Sequence, residues 1–181
     1  MDNFIFIIGG ARSGKSRYAQ ELAKQKGGKI VFFATCVPQD KEMKKRISRH
    51  RKIRPRHWKL IEEPKDIKSV LLKLKHRFDV VIIDCLGLLV SNFLSDGWKE
   101  NRIEKEIKAI AKILSKAKFT AIVVSNEVGG GIVPENALAR KFRDLIGLAN
   151  QIMARKADCV VLMQSGIPMR IKEGQKNGKI K

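Results

Sequence analysis

A short glycine-rich stretch near the N-terminus constrains the fold more than any other feature. GGARSGKS, residues 9–16, follows the apolar run FIFII at 4–8 and precedes a helical pattern that begins at Lys15. It fits G-x-x-x-x-G-K-[ST], in which glycines let backbone N–H groups face an anion because no side chain intrudes. The lysine supplies a charge for nucleotide β- and γ-phosphates, and the serine hydroxyl is a ligand for magnesium. This order of strand, glycine loop and helix predicts a nucleotide phosphate site.

The rest of the chain alternates between strand-like and helical patterns. Such alternation predicts an α/β protein, a P-loop NTPase-type three-layer sandwich with a mostly parallel sheet and helices on both faces. Residues 36–63 break the pattern, because they are basic and carry no strong strand signal. The predicted strands cover 4–8, 29–35, 79–84, 120–127, 158–166 and, as an edge strand, 167–172, and the predicted helices cover 15–25, 64–75, 102–117 and about 135–156.

Composition limits the class of protein and its partners. There are 38 Lys and Arg against 18 Asp and Glu, a formal charge of +20. This excess favours anionic partners such as nucleotides, nucleic acid or a membrane surface, although lysines that solvate helix faces would produce the same count. No apolar run is long enough to span a bilayer. The three cysteines form no CxxC pair, which argues against a thiolate zinc site or a disulfide framework and is typical of a cytoplasmic protein.

The length of the chain predicts one domain with a single core. We expect residues 1–172 to form a single nucleotide-binding catalytic domain. Residues 173–181 lack periodicity and are rich in glycine and lysine, so we expect a mobile basic tail.

A phosphate loop is usually accompanied by an acidic residue at the end of another strand, which positions magnesium. Asp84 closes the apolar run DVVIID at 79–84 and is the candidate. Asp158 stands at the start of its predicted strand instead of closing it and is therefore a poorer choice.

The irregular basic segment contains a candidate nucleophile. Between Arg46 and Lys59 the chain has seven Arg or Lys residues together with His50 and His57. Neutral imidazole is a competent nucleophile near pH 7, and neighbouring arginines would neutralise the oxygens of a phosphorus under attack. A basic loop that grips a nucleic-acid backbone would have a similar composition, so these residues alone leave both interpretations open.

Four stretches together resemble one enzyme family. GGARSGKS, RISRHRKIRPRHW, IDCLGLLVSN and VSNEVGGGIVPENALARKFRDLIGLANQIMARKAD resemble the bifunctional adenosylcobinamide kinase / adenosylcobinamide-phosphate guanylyltransferase family of cobalamin assembly, in order from about residue 4 to Lys172. The resemblance implies that ATP or GTP phosphorylates the hydroxyl of the aminopropanol arm of adenosylcobinamide. GTP then transfers GMP to a histidine with loss of pyrophosphate, and the corrinoid phosphate takes that GMP. It also implies a homotrimer. The phosphate loop itself predicts Mg²⁺. The lack of an evident aromatic stacking platform argues against a nucleic-acid partner, and no membrane span is expected.

The resemblance also assigns roles to individual residues. The guanylylated histidine corresponds to His50, with His57 as the fallback, whereas His76 is expected to be solvated. Lys15 is the second catalytic residue, and Ser16 and Asp84 are the expected magnesium ligands. Either Glu62 or Asp84 would accept hydrogen bonds from guanine. The expected nucleotide-binding residues are Gly9, Gly10, Ala11, Arg12, Ser13, Gly14, Lys15, Ser16, Ala34, Thr35, Cys36, Arg51, Lys52, Ile53, Arg54, Glu62 and Asp84.

The chain departs from the family pattern at one stretch. DCLGLLVSN stands where the family often has D-C-L-T-L-W-L-T-N, so Gly87 and Leu89 replace a hydroxyl and a large aromatic side chain. This makes the corrinoid contacts less predictable than the nucleotide contacts. Two alternatives remain at this stage: a P-loop ATPase that acts on nucleic acid, and an enzyme that retains only one of the two activities.

Overall fold

The computed structural model describes residues 2–36, 54–74 and 77–173. Within these residues the chain forms seven strands and five helices. In chain order they are β1 Phe4–Gly9, α1 Lys15–Lys26, β2 Ile30–Ala34, β3 Lys59–Glu62, α2 Ile67–Leu74, β4 Val80–Asp84, α3 Leu86–Ser95, α4 Glu100–Ser115, β5 Thr120–Asn126, α5 Ala137–Lys156, β6 Cys159–Gln164 and β7 Ile167–Lys172.

All of these strands belong to one sheet, in the order β3-β2-β4-β5-β1-β6-β7. The first six run parallel, and β7 pairs with β6 in the antiparallel direction. The strand before the glycine loop, β1, is therefore central, and β5 separates it from β4. This order brings the carboxyl ends of the six parallel strands to the edge of the sheet where the glycine loop lies.

The two faces of the sheet are covered by different helices. On one face, Ala19 and Ala23 of α1 pack against strand residues such as Ile7, Ile82 and Val124. The other face is covered by α2, α3, α4 and α5, and its strand residues alternate in sequence with those of the first face. Because both faces are buried, the strands are continuously apolar, as in other parallel sheets. The predicted three-layer α/β architecture is confirmed.

Most predicted elements agree with the structure to within a few residues. The isoleucine stripe predicted for the helix at 102–117 is the buried face of α4. The predicted start of α2 at Pro64 was wrong, because the Asp66 carboxylate accepts a hydrogen bond from the Ser69 backbone N–H and caps a helix that begins at Ile67. The predicted edge strand at 167–172 is β7.

Two elements were not predicted. β3 has only four residues at the edge of the sheet, which is too short for a period-two pattern to be distinctive. α3 buries six of its ten residues, and its polar positions Ser91 and Ser95 form only a narrow stripe, so its helical pattern is weak. The buried residues are Leu86, Gly87, Leu89, Val90, Asn92 and Phe93. The expected mobile tail lies, except for Glu173, outside the described residues. No helix in the described ranges has both the length and the apolar character needed to cross a membrane.

Candidate nucleotide-binding site

The glycine loop connects the end of β1 to the start of α1, as predicted. Lys15 is the first residue of the helix, and it is buried at 8% exposure. Its Nζ donates a hydrogen bond to the Gly10 carbonyl oxygen at 2.6 Å and contacts Ser13 Oγ at 3.4 Å. The ammonium group therefore folds back over the loop backbone, where a bound phosphate would lie. The N-terminus of α1 directs its partial positive charge toward the same place.

Two glycines of this loop have a steric reason for their identity. A Cβ at Gly9 would overlap the Met163 carbonyl oxygen and would lie 2.8 Å from Ser13 Oγ. Gly14 precedes α1 with φ 91°, a left-handed conformation that costs other residues energy. The remaining loop positions differ in exposure: Ala11 and Arg12 are exposed, Gly10 and Ser16 are partly buried, and Ser13 is buried.

The turn between β6 and β7 supports the loop from one side. The Gly166 backbone N–H donates to the Ser13 carbonyl oxygen at 3.1 Å. Ser165 and Gly166 both have positive φ values, 51° and 84°, as in the two-residue turns that join antiparallel strands. Sequence analysis missed this contact, and SG between two apolar runs was the available signal for the turn.

Register places the predicted acidic residues on the face of the sheet that α1 covers. Ala34 of β2 pairs with Glu62 of β3 on one side and with Asp84 of β4 on the other. Side chains alternate along a strand, so these three residues share the face of Phe32 and Ile82, which pack with α1. Neighbouring strands lie about 4.8 Å apart, which puts the end of β4 about 10 Å from the end of β1 and the end of β3 about 19 Å from it.

A hydrogen-bond network fixes the segment that follows β2. Thr35 is fully buried. Its hydroxyl donates to the Cys85 carbonyl oxygen and accepts from the Cys85 N–H, both at 2.8 Å. Asn92 of α3 donates through Nδ2 to the carbonyl oxygens of Thr35 and Pro64, each at 2.9 Å. The loops after β2 and β4 are thereby joined next to the predicted nucleotide residues Ala34, Thr35 and Cys36.

Cys85 follows Asp84 through a cis peptide bond. Burial, with the Asp84 carboxylate as the second cause, raises the pKa of the Cys85 thiol to about 12, while the Lys15 charge acts in the opposite direction. The thiol is therefore neutral at physiological pH and suits a packing role.

The described part of the basic segment leads into β3. Arg54 is partly buried, and its guanidinium lies over the Phe32 ring, 5.1 Å from the ring centroid. His57 is exposed in the turn before β3. His50, Arg51, Lys52 and Ile53 lie outside the described residues, as does His76. The roles that the sequence assigned to them remain predictions.

The residues present fit a magnesium ion. Ser16 and Asp84 contribute only oxygen ligands, as Mg²⁺ prefers, and Mg²⁺ is commonly held by one or two protein groups together with substrate phosphates and water. The described residues contain no cluster of three His, Cys, Asp or Glu side chains suited to a metal ion. Asp158 is not a candidate: it lies at the opposite end of β1, where its carboxylate accepts from the Asn3 and Phe4 N–H groups at 3.0 and 2.9 Å.

Sequence analysis also missed Asn126, the last residue of β5. It pairs with Gly9, and its side-chain amide lies against Gly87 at the start of α3. The available signal was a polar residue directly after the apolar run TAIVV.

The fold and the loop define an α/β P-loop nucleotide-binding protein. A prototypical ATPase from the type III secretion system of pathogenic bacteria has a similar fold, with a TM-score of 0.53 at 11% identity over 88% of this chain. This chain spans 50% of that ATPase, and a likeness at this level of identity concerns the fold alone.

Sequence similarity shows to which family this chain belongs. Residues 5–171 match the family described as cobinamide kinase / cobinamide phosphate guanyltransferase. The bifunctional adenosylcobalamin biosynthesis protein CobU of Escherichia coli K12 is 37% identical over 180 residues, covering 93% of this chain and 99% of the relative. The protein CobP of Pseudomonas aeruginosa, also bifunctional in name, is 37% identical over 166 residues, covering 92% and 95%. The chain belongs to this family of transferases, as its resemblance predicted.

Proposed function

We propose that this chain phosphorylates adenosylcobinamide with ATP or GTP and then transfers GMP from GTP to the phosphorylated product, giving adenosylcobinamide-GDP. One observation carries the proposal: a glycine loop with buried Lys15 lies at the sheet edge where Ala34, Glu62 and Asp84 are in register. The family supplies the corrinoid substrate and the two reactions.

The triphosphate binds the glycine loop. Its oxygens accept hydrogen bonds from the loop N–H groups and from Lys15, and the α1 N-terminus stabilises the same charge. Ser16 and Asp84 hold Mg²⁺, which supplies charge neutralisation at the phosphates when bound.

The base of GTP extends away from the loop toward β3. Asp84 is two strands from β1 and therefore near the phosphates, whereas Glu62 is four strands away. We assign guanine recognition to Glu62, because a carboxylate accepts hydrogen bonds from guanine N1–H and N2–H together. Arg54, which lies over Phe32, borders the same region.

His50 accepts the guanylyl group. An imidazole nitrogen forms a bond to the α-phosphorus, the bond to the α,β-bridging oxygen breaks, and pyrophosphate leaves with the electron pair onto the glycine loop and Lys15. An oxygen of adenosylcobinamide phosphate then attacks the same phosphorus, and the histidine leaves with its lone pair restored. Arg51, Lys52, Ile53 and Arg54 follow His50 in sequence, and the positive charges of the two arginines and the lysine would neutralise the phosphate oxygens during both steps.

The test uses GTP labelled at the α-phosphate, with magnesium. We expect label on the wild-type protein that survives base and is released by acid, as a phosphoramidate should be. His50→Ala should abolish the label, and the matched variant His57→Ala should retain it. Label that persists in His50→Ala and disappears in His57→Ala would move the acceptor to His57. Subsequent addition of adenosylcobinamide, with or without ATP, shows whether both activities or only one is present.

The assembly and setting are part of the same proposal. We propose that residues 1–172 act as a single catalytic domain within a homotrimer in the cytoplasm, where ATP and GTP are available and nucleic acid is not a substrate. Two observations support this setting and assembly. The three cysteines, all among the described residues, form no disulfide. Ile167, Met169 and Ile171 of the edge strand β7 are 64, 50 and 56% exposed, which is the kind of apolar surface that a second subunit covers.

A further inference from the structure

The strand β5 lies between the glycine-loop strand and the strand that carries Asp84. Its last residue, Asn126, is in register with Gly9, where the loop begins. By the alternation of side chains, Asn126 is on the same face as Val124, which is in register with Asp84 and packs with α1. A side chain at this position therefore lies between the phosphate loop and the candidate magnesium ligand.

Buried hydrogen bonds fix the backbone at Asn126. Asn150 of α5 donates through Nδ2 to the Asn126 carbonyl oxygen at 3.0 Å, and its Oδ1 accepts from the Ser125 hydroxyl at 2.6 Å. Ser125 and Asn150 are both buried, at 0 and 7% exposure. On the other side, the Glu127 N–H donates to the Gly9 carbonyl oxygen at 2.8 Å. The position of Asn126 is thus tied directly to that of the glycine loop.

The side chain of Asn126 has room but no partner among the residues that the structure describes. It is partly buried, and its amide makes no hydrogen bond within residues 2–36, 54–74 and 77–173. A Cβ on Gly87 would lie 3.0 Å from Asn126 Nδ2, so glycine at 87 leaves the space that the amide occupies. An amide whose backbone is fixed beside a phosphate loop, and whose N–H donors are unused, is suited to an anionic oxygen.

We propose that the Asn126 amide donates a hydrogen bond to the γ-phosphoryl group and acts as a catalytic residue of the phosphorylation step; this rests on the function proposed above. In that step the corrinoid hydroxyl oxygen bonds to the γ-phosphorus while the bond to the β,γ-bridging oxygen breaks. The nucleoside diphosphate leaves with the electron pair, and the hydroxyl proton passes to water. The amide contacts an oxygen of the phosphoryl group in transfer and orients that group, so that its phosphorus is in line with the acceptor oxygen and the leaving oxygen.

The same contact has a smaller part in guanylyl transfer. There the reacting centre is the α-phosphorus, and the γ-phosphate leaves as one end of pyrophosphate without changing its bonds. Loss of the amide should therefore slow phosphorylation much more than guanylyl transfer. A residue that only maintained the fold of the loop would affect both alike, because both use the loop.

The experiment compares Asn126→Ala and Asn126→Asp with the wild type in two separate assays, phosphorylation of adenosylcobinamide and guanylylation of the protein. We expect kcat for phosphorylation to fall about 100-fold in Asn126→Ala, as when one transition-state donor is removed, and further in Asn126→Asp, whose carboxylate repels the phosphoryl oxygens. The kcat for guanylylation, measured at saturating GTP, should change little. Asn101→Ala, at an exposed position of α4, is the control and should leave both rates unchanged.

Nucleotide affinity provides a measurement that does not depend on turnover. Asn126→Ala should weaken binding of GTP about tenfold and leave binding of GDP unchanged, because only GTP has the γ-phosphate. Equal losses for GTP and GDP, or equal losses in the two assays, would make Asn126 a structural residue and overturn the inference, as would unchanged phosphorylation in Asn126→Ala. A wild-type protein without phosphorylation would contradict the proposed function, while the GTP to GDP comparison would still decide whether Asn126 contacts the γ-phosphate.

Discussion

Lys15 illustrates how single residues prepare this site. Lysine is rarely buried unless it has a partner. Here Lys15 is 8% exposed, and its Nζ donates to the Gly10 carbonyl oxygen. The cation is therefore already desolvated and positioned before any nucleotide binds. Little reorganisation is needed when phosphate arrives, and an electrostatic interaction in such a partly desolvated site is stronger than in water.

Glu62 is the residue for which the proposed site makes the most specific prediction. Glu62→Gln replaces one carboxylate oxygen, a hydrogen-bond acceptor, by an NH₂ group, which is a donor. That NH₂ group would face an N–H donor of guanine. We expect kcat/KM for guanylylation by GTP to fall roughly 10- to 100-fold, the usual worth of a charged hydrogen bond, while phosphorylation with ATP is retained. Steady-state kinetics with both nucleotides measures this. The neighbouring variant Glu63→Gln is the control, since its retained Oε1 can still accept from the Lys65 and Asp66 N–H groups. Equal losses in the two variants would contradict guanine recognition by Glu62.

At the scale of elements, the site depends on how α3 is attached to the strand ends. Asn92, at 7% exposure, connects this helix to the carbonyl oxygens after β2 and before α2. Thr35 connects the same region to the start of α3 through Cys85. These few bonds determine where the segment from Ala34 to Cys36 lies relative to Asp84.

Asn92→Ala tests that attachment. The substitution leaves two carbonyl oxygens without their donor, and the free energy of unfolding should fall by about 2 kcal/mol. Denaturant unfolding monitored by circular dichroism measures the change. Ser95→Ala, an exposed position at the end of the same helix, should change stability by less than about 0.5 kcal/mol. Similar small changes in both variants would mean that these bonds contribute nothing measurable.

At the scale of the molecule, charge and apolar surface indicate different partners. The charge of +20 suits anionic substrates. The exposed apolar residues of β7, which is an edge strand, form a surface that isolated proteins seldom expose. The charge bears on the proposed nucleotide binding, and the exposed apolar surface bears on the proposed assembly.

Light scattering coupled to size-exclusion chromatography tests the assembly. We expect a mass three times that of the 20.5 kDa chain, and a shift toward the monomer in Met169→Glu. The charge would be buried in the interface, and an unpaired buried charge is strongly unfavourable. Leu72→Glu, at a 62% exposed position on α2, is the matched control and should remain a trimer. A monomeric wild-type protein would contradict the trimer, and an unchanged Met169→Glu assembly would exclude β7 from the interface.

Local patterns along the chain were sufficient for much of this protein. The strand, glycine loop and helix at residues 4–26 predicted the phosphate site, because a phosphate loop is a local structure of adjacent residues. The long periodic helices and continuous apolar strands were predicted for the same reason. Local pattern also marked Asp84 as the acidic residue that closes a strand, whereas the family resemblance chose His50 over His57 and supplied the expected role of Glu62.

Tertiary structure decided the relations between distant segments. The position of β5 between β1 and β4, the support of the loop by Gly166, and the place of Asn126 beside Gly9 and Gly87 all join residues far apart in sequence. The short edge strand β3 forms only because β2 is available to pair with it. Sequence by itself determined which segments fold and bind phosphate, because those properties depend on neighbouring residues. Only the assembled sheet determined which strand ends meet, because strand order depends on the packing of the whole core.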